Sequence, residues 1–263
     1  MTASIYLTSA EGRTGKSAIA IGVLDALLAD APRVGVFRPL IRSGAARDRV
    51  LELLLSRATA GHHYEQCVGV TYEEAHDDAD AAITKIVAAY RAMRGDCDVV
   101  LIVGSDFTDV AAPTELTFNA RIAANLDSPV LLILGGRQQD RAETLGQSAA
   151  RTPGDLAQLA ELSVPELRGE HATLLAAIVN RADPLALDEI HASVARELPA
   201  GTPLWARLLA RPTVRSITDQ SAGLRPRPKS AFADRYRTIR HFERTGGANA
   251  EGDQGRSTGN RAR

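Results

Sequence analysis

Three aliphatic runs, VVLIV at 99–103, VLLIL at 130–134 and LLAAIV at 174–179, carry no polar residue at alternate positions. A strand with one face in water alternates apolar and polar side chains, whereas a strand covered on both faces reads as a continuous apolar run. These runs are therefore expected to be inner strands of a parallel sheet. The segments between them must then supply helices for both faces of that sheet.

The intervening segments have the required period. Residues 17–28 cluster Ile19, Ile21, Val23, Leu24, Leu27 and Leu28, residues 47–57 cluster Val50, Leu51, Leu53, Leu54 and Leu55, and residues 115–126 read as a crossover helix. From Tyr72 to Met93 the apolar positions recur every three or four residues (Ala79, Ala82, Ile83, Ile86, Val87, Tyr90, Met93), which predicts one helix with the acidic start EEAHDD at its positive pole. A further helix is predicted at 185–198. Further strands are predicted at 4–8 and at 34–37, the second ended by Pro39, which cannot donate to a ladder. The fold class is thus α/β, a doubly wound parallel sheet with helices on both faces. Ligands of such sheets gather at the carboxyl ends of the strands. Loops 9–16, 38–47, 104–114 and 180–184 are expected to converge there.

Composition bounds what that convergence can serve. A formal charge of −1 over 263 residues gives no field that draws nucleic acid or an acidic membrane, so a small molecule or a protein is the expected partner. The chain has two cysteines, Cys67 and Cys97, which make neither a disulfide framework nor a CxxC pair. With no signal peptide and no apolar run near 20 residues, this predicts a cytoplasmic protein. Aliphatic periodicity ends near Pro212, and the end GGANAEGDQGRSTGNRAR predicts disorder. The expected division is a domain over 1–214 and a basic disordered tail over 215–263.

Directly behind the first strand stands SAEGRTGKS, residues 9–17. A phosphate-cradling loop needs glycines so that main-chain N–H groups can turn toward phosphate oxygens, a lysine for the terminal phosphates and a hydroxyl for magnesium. Gly12, Thr14, Gly15, Lys16 and Ser17 supply these parts, and a helix N-terminus follows that favours anions. Ala10 stands where the pattern has its first glycine. Phosphoryl chemistry also wants an acid at a neighbouring strand end. The run DVVLIVGSDFTD ends instead in Val103 and Gly104, with Asp106 and Asp109 further out, where they either reach a metal through water or cap the helix beginning near Pro113.

The loop, VGVFRPL at 34–40, RDRVLELLL at 47–55, APTELTFNARIAANLDSPVLLI at 112–133, AAIVNR at 176–181 and RPTV at 211–214 together resemble the N-terminal domain of long bacterial phosphate acetyltransferases, actinobacterial type, over residues 3–214. That domain is similar to dethiobiotin synthetase and other P-loop NTPase-like ligases. The dethiobiotin synthetase loop, G-T-D-T-E-V-G-K-T, has threonine at the position of Ala10, so the resemblance explains the missing glycine. It implies that Lys16 is the phosphate lysine, Ser17 the magnesium hydroxyl, Arg38 the counterpart of a substrate-facing lysine, and Asp48 an acid near the metal. It implies Asn180 and Arg181 at the nucleotide base, beside the alternative that Asn180 only caps a loop. The cofactor implied is ATP or another nucleotide with Mg2+, at Gly12, Thr14, Gly15, Lys16, Ser17, Arg38 and Asn180, with metal at Ser17, Asp48 and Asp106. The synthetases carry a glutamate where this chain has Val103, and a valine cannot bind magnesium.

In the resembled acetyltransferases, acetyl-CoA and phosphate give acetyl phosphate and CoA on a separate C-terminal domain, for which 263 residues leave no room. The expectation is an N-terminal regulatory and assembly domain that binds a small anionic metabolite or nucleotide. CoA substrates would be met only through the missing domain. The partners implied are a second copy of the chain or a companion acetyltransferase domain, and a truncated or frameshifted gene is a further expectation. An ATP-dependent ligase and a non-catalytic interaction module with a relic loop are the alternatives. His62, His63 and Cys67 match no zinc spacing, the two histidines read as exposed loop residues, and Trp205 reads as packing.

Overall fold

The computed structural model describes residues 2–44, 46–105, 115–138 and 148–208, all within one compact unit spanning residues 1–224. Asp106, Asp109, Pro113, the side chain of Trp205 and the tail from 209 onward lie outside the described residues.

Among the described residues seven strands form one sheet: β1 (Ala3–Ser9), β2 (Val34–Ile41), β3 (Val68–Thr71), β4 (Val99–Val103), β5 (Val130–Gly135), β6 (Leu174–Asn180) and β7 (Leu204–Leu208). Their order is β3-β2-β4-β1-β5-β6-β7, and every neighbouring pair is parallel. The helices are α1 (Lys16–Asp30), α2 (Arg49–Leu55), α3 (Tyr72–Asp77), α4 (Ala79–Arg94), α5 (Glu115–Asn125), α6 (Pro153–Gly169) and α7 (Leu187–Glu197), with a 3-10 turn at Tyr64–Gln66. Helix α1 touches α2, while α4, α5, α6 and α7 pack in series. Right-handed crossovers explain the division, since leftward connections from β1 and β2 put their helices on one face and the rightward ones put theirs on the other. The chain leaves β1 in one direction and returns on its far side by way of β4 and β5. The crevice of such a sheet therefore opens at the carboxyl ends of β4, β1 and β5.

The continuous aliphatic runs are inner strands as expected. All of β4 and β5 is buried, as is β1 from Ile5 onward. Two expectations need correction. Strand β2 continues through Pro39 to Ile41, because its ladder to β4 runs only from Val34 to Phe37 and beyond that point its bonds go to β3, through Arg38, Leu40 and Ile41. The proline thus sits where the strand no longer needs a donor toward β4. The helix predicted from 72 to 93 is two: Asp78 leaves the helical conformation (φ −150°, ψ 96°) and its carboxylate accepts from the N–H groups of Asp80 and Ala81, capping α4. The preceding α3 has its own capping box from Thr71 and Glu74. Helical spacing continued across a capping acid, which periodicity alone does not register.

Leu101, fully buried in β4, pairs with Ile5 of β1 and Val36 of β2. Leu101→Ala should cost about 2–5 kcal/mol. A urea titration would read this as a lower midpoint at unchanged slope, and an unchanged midpoint would show that the inner sheet is not the source of stability.

Candidate functional site

Strand β1 ends at Ser9 and α1 begins at Lys16, so residues 10–15 must reverse the chain in a short span. Arg13 (φ 54°) and Gly15 (φ 81°) take the left-handed backbone conformation. At Gly15 a side chain is doubly excluded, because a Cβ would also collide with Nδ2 of Asn180. The Ser9 hydroxyl donates to the carbonyl of Glu11 (2.8 Å), and the Glu11 carboxylate is gripped by Arg151 through two bonds of 2.7 and 3.0 Å. Arg151 also donates to the Gly135 carbonyl at the end of β5 (3.1 Å), tying the loop to the sheet. Ala10 fits in this frame as it stands.

Gly15 is the N-cap of α1 and provides no side-chain cap, so the first helical amides lack an internal acceptor. Among the described residues the main-chain N–H groups of Arg13, Thr14, Gly15 and Ser17 donate to nothing. Four donors turned about one loop, at the positive pole of a 15-residue helix, make a place for an anion.

Lys16 is the loop's charged member and is 2% exposed. Its ammonium donates to the main-chain carbonyl of Ser105, just past β4. Ser105 is set by Asn119 of α5: its N–H donates to Asn119 Oδ1 (3.1 Å), and Asn119 Nδ2 donates to Ser105 Oγ (3.1 Å) and to the Glu115 carbonyl (2.8 Å). Tyr6 of β1 donates its hydroxyl to the same Asn119 oxygen (2.8 Å), and burial pushes its phenol well above the ordinary tyrosine range. Gly104 is required here, since a Cβ would strike Asn119 Oδ1 and the Tyr6 ring. Sequence reasoning missed Tyr6, Asn119 and Ser105. The only signal for them was the polar residue amid the apolar face of 115–126.

Thr14 and Asn180 close the other side. Asn180, 1% exposed at the end of β6, donates from Nδ2 to the Thr14 carbonyl (2.7 Å), while its Oδ1 and the Thr14 hydroxyl are buried without a partner. Asn180 therefore braces the loop rather than simply capping its own turn. Gly12 is buried within the loop, and the half-buried Ser17 hydroxyl has no bond among the described residues.

Arg38 and Asp48 are brought together, but not as open ligands. Arg38 is 3% exposed and its guanidinium donates to Asp48 Oδ2 (3.1 Å) and to the carbonyls of Val103 (3.1 Å) and Gly104 (2.6 Å). The other Asp48 oxygen accepts from the Leu51 N–H (2.9 Å) and caps α2. In this arrangement the Asp48 carboxylate is counter-ion to Arg38 and cap of α2, and the Arg38 guanidinium is engaged by the carbonyls at the end of β4. The two cysteines resolve into packing: Cys67 and Cys97 are free, buried thiols, which burial pushes up to about 12 and about 11. No group of three or more His, Cys, Asp or Glu residues able to hold a metal occurs among the described residues. Magnesium needs carboxylate or phosphate oxygens and keeps several waters. The donor set here fits a magnesium ion that arrives with phosphates and meets Ser17, with Asp48 otherwise engaged. No helix among the described residues is long and apolar enough to cross a membrane.

A family profile described as an AAA domain matches residues 3–218, and the chain belongs to that family. Two curated relatives are phosphate acetyltransferases, from Synechocystis (29% identical over 74% of this chain and 27% of the relative) and from Nitratidesulfovibrio vulgaris (28% identical over 69% of this chain and 25% of the relative). The chain thus spans about a quarter of the length of these relatives, and its resemblance to their P-loop region holds. Among solved structures it is similar to an apo GTPase from Pyrococcus abyssi (13% identity, TM-score 0.45, 92% of this chain and 98% of that one) and to a ParA family ATPase from Chlorobium tepidum (13%, TM-score 0.42, 79% and 86%).

Asp48→Ala strands a buried guanidinium and removes a cap, and should cost about 3–5 kcal/mol. Glu65→Ala, which breaks an exposed pair with Arg47 (2.6 Å), should cost no more than about 1 kcal/mol. Equal losses in paired thermal melts would refute the buried role of Asp48.

Proposed function

We propose that this chain is a nucleotide-binding or anionic-metabolite-binding regulatory and assembly domain of the phosphate acetyltransferase type. The ligand's phosphates would lie in the loop Gly12–Ser17, with Lys16 at the terminal phosphate and Ser17 at a magnesium ion carried by it. The observation that carries this reading is the set of four unpartnered main-chain N–H groups at Arg13, Thr14, Gly15 and Ser17 around a buried lysine. The names of the curated relatives supply the acetyltransferase context. Transfer of acetyl from acetyl-CoA to phosphate would be the work of another domain, in the same chain or in a companion.

Binding without rapid hydrolysis follows from the sequence at the end of β4. Val103 and Gly104 offer no carboxylate, and Asp48 is held by Arg38 and the α2 amide. Phosphoryl transfer depends on charge neutralisation by metal and on a positioned nucleophile. Lys16 and the amides stabilise a bound phosphate but do not orient water against it.

A second reading, an ATP-dependent ligase resembling dethiobiotin synthetase, is supported by a cavity of about 280 Å³ lined by Leu40, Tyr72, His76, Ser105, Glu115 and Arg121. Ser105 lines this cavity and also accepts from Lys16, so a small acceptor there would lie beside the phosphate lysine.

Calorimetry with ATP–Mg and with NADH, on the parent and on Lys16→Ala, separates the readings. Binding of one ligand that weakens about tenfold or more in Lys16→Ala is expected, since a charge-assisted bond is lost. No heat with either ligand would leave the loop a relic within an interaction module. Phosphate release at a steady rate from ATP would favour the ligase.

A further inference from the structure

Lys16 marks the terminal-phosphate side of the loop, because its ammonium reaches across to the end of β4. In the sheet order, β4 lies on one side of β1, and β5 and β6 lie on the other. A nucleotide whose last phosphate meets Lys16 therefore extends its nucleoside toward the ends of β5 and β6. Asn180, with its buried and unpartnered Oδ1, stands at that end.

Two arginines leave the sheet there. Arg181 follows the last residue of β6, and Arg137 comes two residues after the end of β5. The strand ends are locked to each other: the Gly136 N–H donates to the Asn180 carbonyl (2.7 Å), and a Cβ on Gly136 would press within 2.6 Å of the Ala182 nitrogen and 2.7 Å of the Arg181 carbonyl carbon. Partial burial, and then the charge of Arg137, hold the Arg181 guanidinium below its ordinary pKa. Neither side chain meets a carboxylate among the described residues. Among the described residues Arg137 donates to the Ser148 carbonyl, at 3.4 Å. Other arginines of the sheet ends are matched: Arg38 by Asp48, Arg151 by Glu11, Arg33 by Asp98. Arg181 also holds a left-handed backbone (φ 62°), uncommon for a residue with a side chain. Two like charges without a carboxylate partner among the described residues, one of them on a left-handed backbone, make a place suited to an anion.

We propose that Arg137 and Arg181 form a second anion subsite that takes a phosphate on the ribose of the nucleotide whose polyphosphate lies in the 12–17 loop. The ligand class is then a ribose-phosphorylated nucleotide, with the extra phosphate at the 2′ or the 3′ position. This rests on the loop being a phosphate site, as proposed above.

The test is calorimetry on the full chain with three probes: ADP, ADP bearing a 2′-phosphate, and ADP bearing a 3′-phosphate. One of the two phosphorylated probes should bind at least about tenfold more tightly than ADP, as two charge-assisted contacts allow. That advantage should be lost in Arg137→Gln and in Arg181→Gly, the second chosen because glycine accepts the left-handed backbone. Thermal melts confirm that each variant is folded, and should Arg181→Gly melt early, Arg137→Gln alone decides. ADP binding with no advantage for either phosphorylated probe overturns the subsite and leaves the loop reading intact. An advantage that survives both substitutions overturns the assignment to these residues. Binding of a phosphorylated probe that needs Arg137 but is indifferent to Lys16→Ala overturns both the loop reading and the two-point site proposed here, and failure of all three probes does the same.

Discussion

The arrangement around the Lys16 ammonium governs the rest of the site. A cation with 2% exposure must be solvated by the protein itself, and the Ser105 carbonyl does so. That carbonyl is in place because Asn119 binds Ser105 through both its amide groups and because Tyr6 completes the Asn119 oxygen. A strand, a helix and a loop residue are thereby spent on orienting one lysine. Polar networks of this kind are costly when incomplete, so they favour one arrangement over its neighbours.

The same economy explains how Arg38 and Asp48 are engaged. Arg38 satisfies the carbonyls of Val103 and Gly104, which a strand end otherwise leaves exposed beside the loop. Its charge in turn calls for Asp48, and Asp48 then starts α2. One buried guanidinium thus fixes where β4 ends and where the next helix begins. A lysine, with a single point charge and no fork, would not bridge two carbonyls and a carboxylate in this way.

The loop side and the β5–β6 side differ in how their charges are matched. Glu11 is matched by Arg151, so the loop's only acid is neutralised and does not oppose an anion. Arg137 and Arg181 are left without such partners among the described residues.

Much of this was legible in the chain. Continuous aliphatic runs identified the inner strands, helical spacing found α1, α2, α4, α5 and α7, and the G-K-S signature with its preceding strand located the turn between β1 and α1. Those features are local, since period and backbone demand are written in neighbouring residues. The break at Asp78, the passage of β2 through Pro39, and the strands β3 and β7 were not, because a cap, a switch of ladder partner and a short edge strand depend on what lies alongside. Nor could the sequence tell that Asp48 answers Arg38, that Asn119 reaches Tyr6 and Ser105 across 113 and 14 positions, or that Arg137 and Arg181 stand together. The residues alone determined the parallel sheet and the place of the glycine-rich loop behind its first strand; only the packed structure decided which charges meet, because burial makes each one bind whatever group the fold brings within reach.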